Sequence, residues 1–166
     1  EQIISTETAY QITSMMEGVI KRGTGRKLRD LKLPLAGKTG TTNKNMDAWF
    51  IGFTSKLVIG VYVGFDEPKT LGRYETGAKA ALPIFKTFVK RVIKKKEALP
   101  FRIPKSINLV MVDADTGLLP NLNTKKIIYE SFKSEDNFIV DLEKRSNKST
   151  LDFYDSDNQK NILRFY

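Results

Sequence analysis

The chain has no cysteine and no histidine. Thiolate nucleophiles, histidine triads and the ordinary zinc sites built from these residues are therefore excluded. What remains for covalent chemistry is a serine or threonine hydroxyl activated by lysine, or a carboxylate. Long apolar runs are also missing: none reaches the ~18 residues of a membrane span. No signal-peptide pattern is visible. The first residue is Glu1 and not Met, which suggests a fragment or a processed product.

Positive charge is abundant. The 166 residues carry 28 Lys+Arg against 19 Asp+Glu, a formal net charge of +9. Residues 1–97 hold 18 basic and 9 acidic residues, whereas residues 98–166 hold 10 of each, so the excess belongs to the first part. Such a surface can face phospholipid, nucleic acid or an acidic polymer, although a solvated lysine is the ordinary state of any single one. Hydrophobic residues make up 40% of the chain, enough for a modest core in one domain or one and a fraction.

The spacing of Ile12, Met15, Met16, Val19 and Ile20 predicts a helix over 6–22 with one apolar face. Ser5 or Thr6 is placed to cap it, and Gly23 to stop it. "RGTGRKLRD" then reads as a basic, flexible loop. Residues 35–42 predict a strand, as do 48–54 ("AWFIGFT") and 57–65 ("LVIGVYVGF"), which are aromatic and β-branched. The short "SK" between the last two suits a hairpin turn. The third run is apolar at every position, as in a strand covered on both faces. Gly52, Gly60 and Gly64 are each expected to mark close packing of a helix or a bulge. After the loop "DEPKTLGRYETG", residues Ala81, Ile84, Phe85, Phe88, Val89, Val92 and Ile93 predict an amphipathic helix that holds Pro83 in its first turn and ends in "KKK". "LPFRIP" reads as an extended linker, "INLVMVD" as a strand and "ADTG" as a turn. From residue 131 the chain reads as a polar, weakly ordered tail.

Residues 33–44, "LPLAGKTGTTNK", carry letters used by two chemistries. A phosphate-binding loop needs a glycine five residues before Gly37, but position 32 is Lys. It must also open into a helix, whereas strand-like sequence follows. Read as a strand edge, Lys38-Thr39-Gly40 instead suits an extended peptide. Thr39 and Thr41 are two apart and project to one side, where their hydroxyls can bond a carboxylate. Lys38 supplies charge, and Gly40 lets a substrate backbone approach as an added strand.

"AGKTGTTNKNMDAWFIGFT", "LVIGVYVGFDEP", "GRYETGAKAALPIF" and "FRIPKSINLVMVDADTG" resemble, in order and spacing, the C-terminal part of the transpeptidase region of class A penicillin-binding proteins. The resemblance covers roughly residues 1–120. It implies an α+β penicilloyl-serine-transferase fold, an antiparallel sheet flanked by helices with the active site at one sheet edge. It implies a serine acyl-enzyme that cross-links peptidoglycan stem peptides at D-Ala-D-Ala and reacts with β-lactams. The residues matching the family's Lys-Thr-Gly motif take its roles: Lys38 for electrostatic support, Thr39 and Thr41 for the carboxylate, Gly40 for close approach, and the Thr41 backbone N–H as an oxyanion donor. No metal or organic cofactor is implied, nor a nucleic-acid partner. The parent enzyme would carry a glycosyltransferase and lie on the outer face of the bacterial cytoplasmic membrane, held there by its missing N-terminal part.

The family's Ser-x-x-Lys and Ser-x-Asn motifs should precede Lys38, and neither does. Ser5 has Glu7 and Thr8 at the following motif positions, and Ser14 has Met16 and Glu17. Ser156-Asp157-Asn158 matches the second motif by letter but lies far downstream. Thr41-x-x-Lys44 is a further match by letter alone. The chain is therefore expected to be inactive alone, with residues 1–97 forming part of a transpeptidase domain, 98–130 a linker and short β extension, and 131–166 the tail. A β-lactamase or D,D-carboxypeptidase relative, and a non-catalytic basic module that binds cell wall or a partner, are the alternatives. Asp113-x-Asp115-x-Gly117 reads as a strand-ending turn, because a calcium loop needs other residues at 117 and 124. Asp47 with Trp49 and Phe50 reads either as a functional signature or as a structural acid that fixes the turn after Thr42 with the aromatics in the core, and for Trp49 and Phe50 the core is expected. The "KRVIKKK" run reads as a solvated helix end.

Overall fold

A computed structural model of the chain describes residues 1–136 and 142–145. They form two compact units that divide between Ile103 and Pro104. In the first, helix α1 spans Thr6–Arg22. Ser5 caps it by accepting from the Thr8 N–H at 3.2 Å. The amides of Gly23 and Gly25 both donate to Val19 O, which ends the helix and tightens the turn behind it. Of the expected apolar face only Ile20 is fully buried, while Ile12 and Met15 are exposed. The buried side of α1 also uses Tyr10 and Gly18.

The stretch expected as a flexible loop contains a six-residue 3-10 helix, Arg26–Leu31. The signal for order lay in two residues: Leu28 and Leu31 are buried in the main core and pin the segment. Strands β1 (Ala36–Thr41), β2 (Ala48–Phe53) and β3 (Val58–Val63) follow as an antiparallel sheet in the order β1-β2-β3. Helix α2, Ala81–Val92, lies against β2 and β3. Pro83 sits in its first turn, where a missing N–H costs nothing. The helix stops at Val92, short of the lysine run, so Lys90 and Arg91 supply its last-turn positive charge. Lys95 and Lys96 belong to a separate 3-10 turn, Lys95–Glu97.

The core fills one face of the sheet. Phe50 on β2 meets Leu82, Phe85 and Val89 of α2, together with Ile20, Leu28, Leu31 and Leu35. The Phe50 and Phe85 rings meet edge-on at 4.7 Å. A side chain at Gly52 would strike the Phe85 ring at 2.6 Å, which is the close helix packing expected there. Gly60 differs, since nothing lies within 4 Å of its side-chain position. β3 is covered on one face only, contrary to its uniform hydrophobicity: Ile59, Val61 and Val63 pack on the core, while Val58 and Tyr62 are exposed. It is the outer strand of the sheet, and α2 reaches just one of its sides. Residues beyond 97 still belong to the first unit. Ser55 Oγ donates to Leu99 O at 3.2 Å, and the Phe53 and Phe101 rings meet at 5.6 Å.

The second unit is an antiparallel hairpin of β4 (Ile107–Asp113) and β5 (Ile127–Lys133). β5 thus crosses residue 130, where the ordered extension was expected to end, because alternation within "IIYESFK" continues the pairing to Lys133. Leu142 is buried as well. Ser156, Asp157 and Asn158 lie outside the described residues. Asp113 ends β4 by accepting the N–H groups of Asp115 and Thr116 on Oδ1, the turn its spacing predicts.

Candidate functional site at the edge of strand β1

Among the described residues β1 is an outer strand, paired only with β2. The register sets Lys38 opposite Ile51, Thr39 opposite Phe50, Gly40 opposite Trp49 and Thr41 opposite Ala48. Directly paired residues share a face. Thr39 and Thr41 therefore stand on the helix-covered side with Phe50 and Ala48, and Lys38 and Gly40 on the opposite side with Ile51 and Trp49. Lys38 is exposed, and its Nζ donates to Thr39 O at 2.7 Å.

Both threonine hydroxyls already have protein partners. Thr39 Oγ1 lies 3.0 Å from Thr24 Oγ1, on the turn that follows α1. Thr41 Oγ1 accepts the Gly77 N–H at 3.0 Å, from the loop that leads into α2. Gly77 is buried against the β1–β2 pair, and a side chain there would run into Gly40 O and Trp49 O. Sequence reasoning missed Thr24 and Gly77. Their only signals were a threonine between two glycines and the glycine of "YETG", both read as loop chemistry.

The turn after β1 is fixed as Asp47 suggested. Thr42 N donates to Asp47 O, Asp47 N donates to Thr42 Oγ1, and Thr42 Oγ1 donates to Asp47 Oδ2. The other carboxylate oxygen accepts from Tyr62 Oη at 3.0 Å. That bond, then partial burial, then the charges of Asp47 and Asp66 push the Tyr62 phenol above its usual range. Asn45 extends the brace by donating from Nδ2 to the carbonyls of Gly72 and Arg73. Phe50 is in the core as expected, but Trp49 is not. It is 40% exposed on the outer sheet face, its ring tilted against that of Tyr62 at 4.8 Å, because a one-residue step along a strand reverses the face.

The upstream serines are not gathered at this edge: Ser5 serves as the α1 cap, and Ser14 lies within α1. A surface concavity of about 730 Å³ also lies elsewhere. It is lined by Arg26, Lys27, Arg29, Asp30 and Lys86 with Leu82 and Pro83, and it includes no residue of β1. Lys86 Nζ pairs with Asp30 there at 2.7 Å and, chiefly through that hydrogen bond, holds the Asp30 carboxyl below its usual range. The strand edge presents two hydroxyls on one face, whereas the concavity is lined by basic side chains, the Asp30–Lys86 pair and two apolar residues. Among the described residues no helix is long and apolar enough to cross a membrane.

Residues 1–90 match the family described as penicillin binding protein transpeptidase domain. Penicillin-binding protein 1A of Rickettsia conorii is 48% identical over 124 residues, 75% of this chain and 15% of that protein. The Pseudomonas aeruginosa protein of the same name is 46% identical over 137 residues, 82% of this chain and 17% of that one. The crystal structure of penicillin-binding protein 1A from Haemophilus influenzae matches 80% of this chain and 21% of its own, with a TM-score of 0.70 and 34% identity. The chain thus spans about a fifth or less of the length of these relatives.

Proposed function

The chain belongs to the penicillin-binding protein transpeptidase family, as part of a class A transpeptidase region with the α+β penicilloyl-serine-transferase fold, and on that premise we propose that β1 forms the carboxylate-binding wall of a peptidoglycan D,D-transpeptidase site. The observation that carries the reading is the strand edge itself: Thr39 and Thr41 on one face, clamped at their hydroxyls, with Gly40 between them and the exposed Lys38 next to Thr39 on the opposite face. An acyl-D-Ala-D-Ala peptide laid along this edge would seat its terminal carboxylate on the two hydroxyls. Its scissile carbonyl would fall near the Thr41 N–H. A fixed donor there is worth about 3 kcal/mol of barrier.

In the complete reaction a serine attacks that carbonyl, and the D-alanine leaves with a proton. The acyl group then passes to an amine of a neighbouring stem, forming the cross-link. β-Lactams acylate the same serine. This chain supplies the wall, and the serine and its lysine come from elsewhere in the parent enzyme, because no Ser-x-x-Lys occurs in the sequence. We place the parent, with its glycosyltransferase, on the outer face of the cytoplasmic membrane, by likeness to its relatives.

The division of labour has a direct test. The full chain, incubated with fluorescent penicillin and run on a denaturing gel, is expected to show no stoichiometric covalent band. A band would mean that the chain holds its own nucleophile. In parallel, N-acetyl-D-alanyl-D-alanine is expected to shift the amide resonances of residues 38–41, and silence there would remove the carboxylate wall.

A further inference from the structure

We propose that Thr24 and the Gly77 amide are positioning groups that make Thr39 and Thr41 a matched pair of hydroxyl donors, selective for a carboxylate over its amide. The proposal rests on the reading of β1 as a carboxylate wall. A backbone N–H can only donate. Gly77 therefore occupies a lone pair of Thr41 Oγ1 and leaves the Thr41 proton for another acceptor. Gly77 can come this close only without a side chain, since Gly40 O and Trp49 O fill the space a Cβ would need.

At Thr39 the partner is a second hydroxyl, and either can donate. If Thr39 donates to Thr24, its proton is used. If Thr24 donates to Thr39, the Thr39 proton is free. An ionised carboxylate is acceptor-only, so its arrival selects the second arrangement. Thr24 can hold that geometry because its turn is tied twice to α1, through the Gly23 and Gly25 amides on Val19 O, each at 3.0 Å. Thr39 and Thr41 are two positions apart, about 6.6 Å along β1. Two bonds of about 2.7 Å, one to each carboxylate oxygen, span that gap. A terminal carboxamide has one acceptor oxygen where the carboxylate has two, so it takes the proton of one hydroxyl only and lacks the charge that strengthens both bonds.

The test uses the full chain, N-acetyl-D-alanyl-D-alanine and the C-terminal amide of the same peptide, titrated by amide NMR. Wild type is expected to bind the acid at least about tenfold tighter than the amide. Thr24→Val is expected to weaken acid binding about fivefold, the worth of one neutral hydrogen bond, and Thr24→Ser to restore it. Three-bond couplings should show one Thr39 side-chain rotamer in wild type and Thr24→Ser, and an averaged one in Thr24→Val. Absence of acid binding by wild type would strike the reading of β1, and this proposal's ligand with it. Wild-type acid binding together with unchanged affinity and rotamer in Thr24→Val would overturn the proposal alone.

Discussion

Asp47 joins three segments. Its backbone and one carboxylate oxygen close the turn with Thr42, and the other oxygen accepts from Tyr62 on β3. The turn at the end of the Lys-Thr-Gly-Thr strand is therefore set partly by a tyrosine two strands away. Ionising Tyr62 would place a phenolate against this carboxylate, so the folded chain holds the phenol neutral. Its folded pKa is raised above the ordinary 10.0. The stability this adds is fully present below pH 10.0 and is lost as pH rises through the folded value. Asp47→Asn removes the carboxylate charge while keeping an acceptor. Tyr62, followed by the NMR shift of its Cζ, is expected to titrate above 10.0 in wild type and closer to it in Asp47→Asn. An identical titration in the two proteins would show that Asp47 does not set the phenol. Sequence reasoning offered the Thr42–Asp47 turn as one of two readings of the acid, and the hydrogen bonds select it. It could not reach Tyr62, because that contact depends on the register of two strands.

At the level of elements, the spacing of apolar residues located α1, α2 and strands β1 to β4, it did not single out β5, and it failed where burial depends on what lies outside the element. β3 has the same apolar letters on both faces, so nothing local distinguishes the face under α2 from the face left open. Two of the strand-region glycines show the same limit. Gly52 is pressed by the Phe85 ring, whereas Gly60 faces open space. Gly52→Ala must push two buried rings, Phe85 at 2.6 Å and Phe50 at 2.8 Å, and is expected to cost about 1–3 kcal/mol. Gly60→Ala meets no atom and restricts the unfolded chain, so it is expected to be neutral or to stabilise by up to about 1 kcal/mol. Urea unfolding of the two variants checks the pair. Equal losses would mean that the α2–β2 contact is looser than the Phe50–Phe85 packing implies. The site divided in the same way. Lys38, Thr39 and Thr41 were legible because strand periodicity places them by number. Thr24 and Gly77 act through contacts 15 and 36 residues away in sequence, which no local pattern encodes.

For the whole molecule, two opposing forces meet on the first unit. The outer sheet face exposes Trp49, Ile51, Val58 and Tyr62, with Val58 70% accessible at the margin of β3. Such a face favours association, and the unpaired edge of β3 offers a template for a further strand. Against this stands the charge of +9, all of it in residues 1–97, which repels one copy from another. The repulsion is screened by salt over about 10 Å at 0.1 M and about 3 Å at 1 M, whereas apolar contact is not weakened. The chain is therefore expected to associate more as salt and protein concentration rise, the reverse of a charge-driven complex. Ile51→Lys with Val58→Lys places two cations on the open face and touches neither the Phe50–Phe85 core nor the β1 hydroxyls. Sedimentation velocity is expected to show salt-promoted growth of the wild-type chain and a monomeric double variant under the same conditions. A wild-type chain that stays monomeric near 1 M salt would show that the open face is not adhesive. A double variant that associates as strongly would move the contact to another surface.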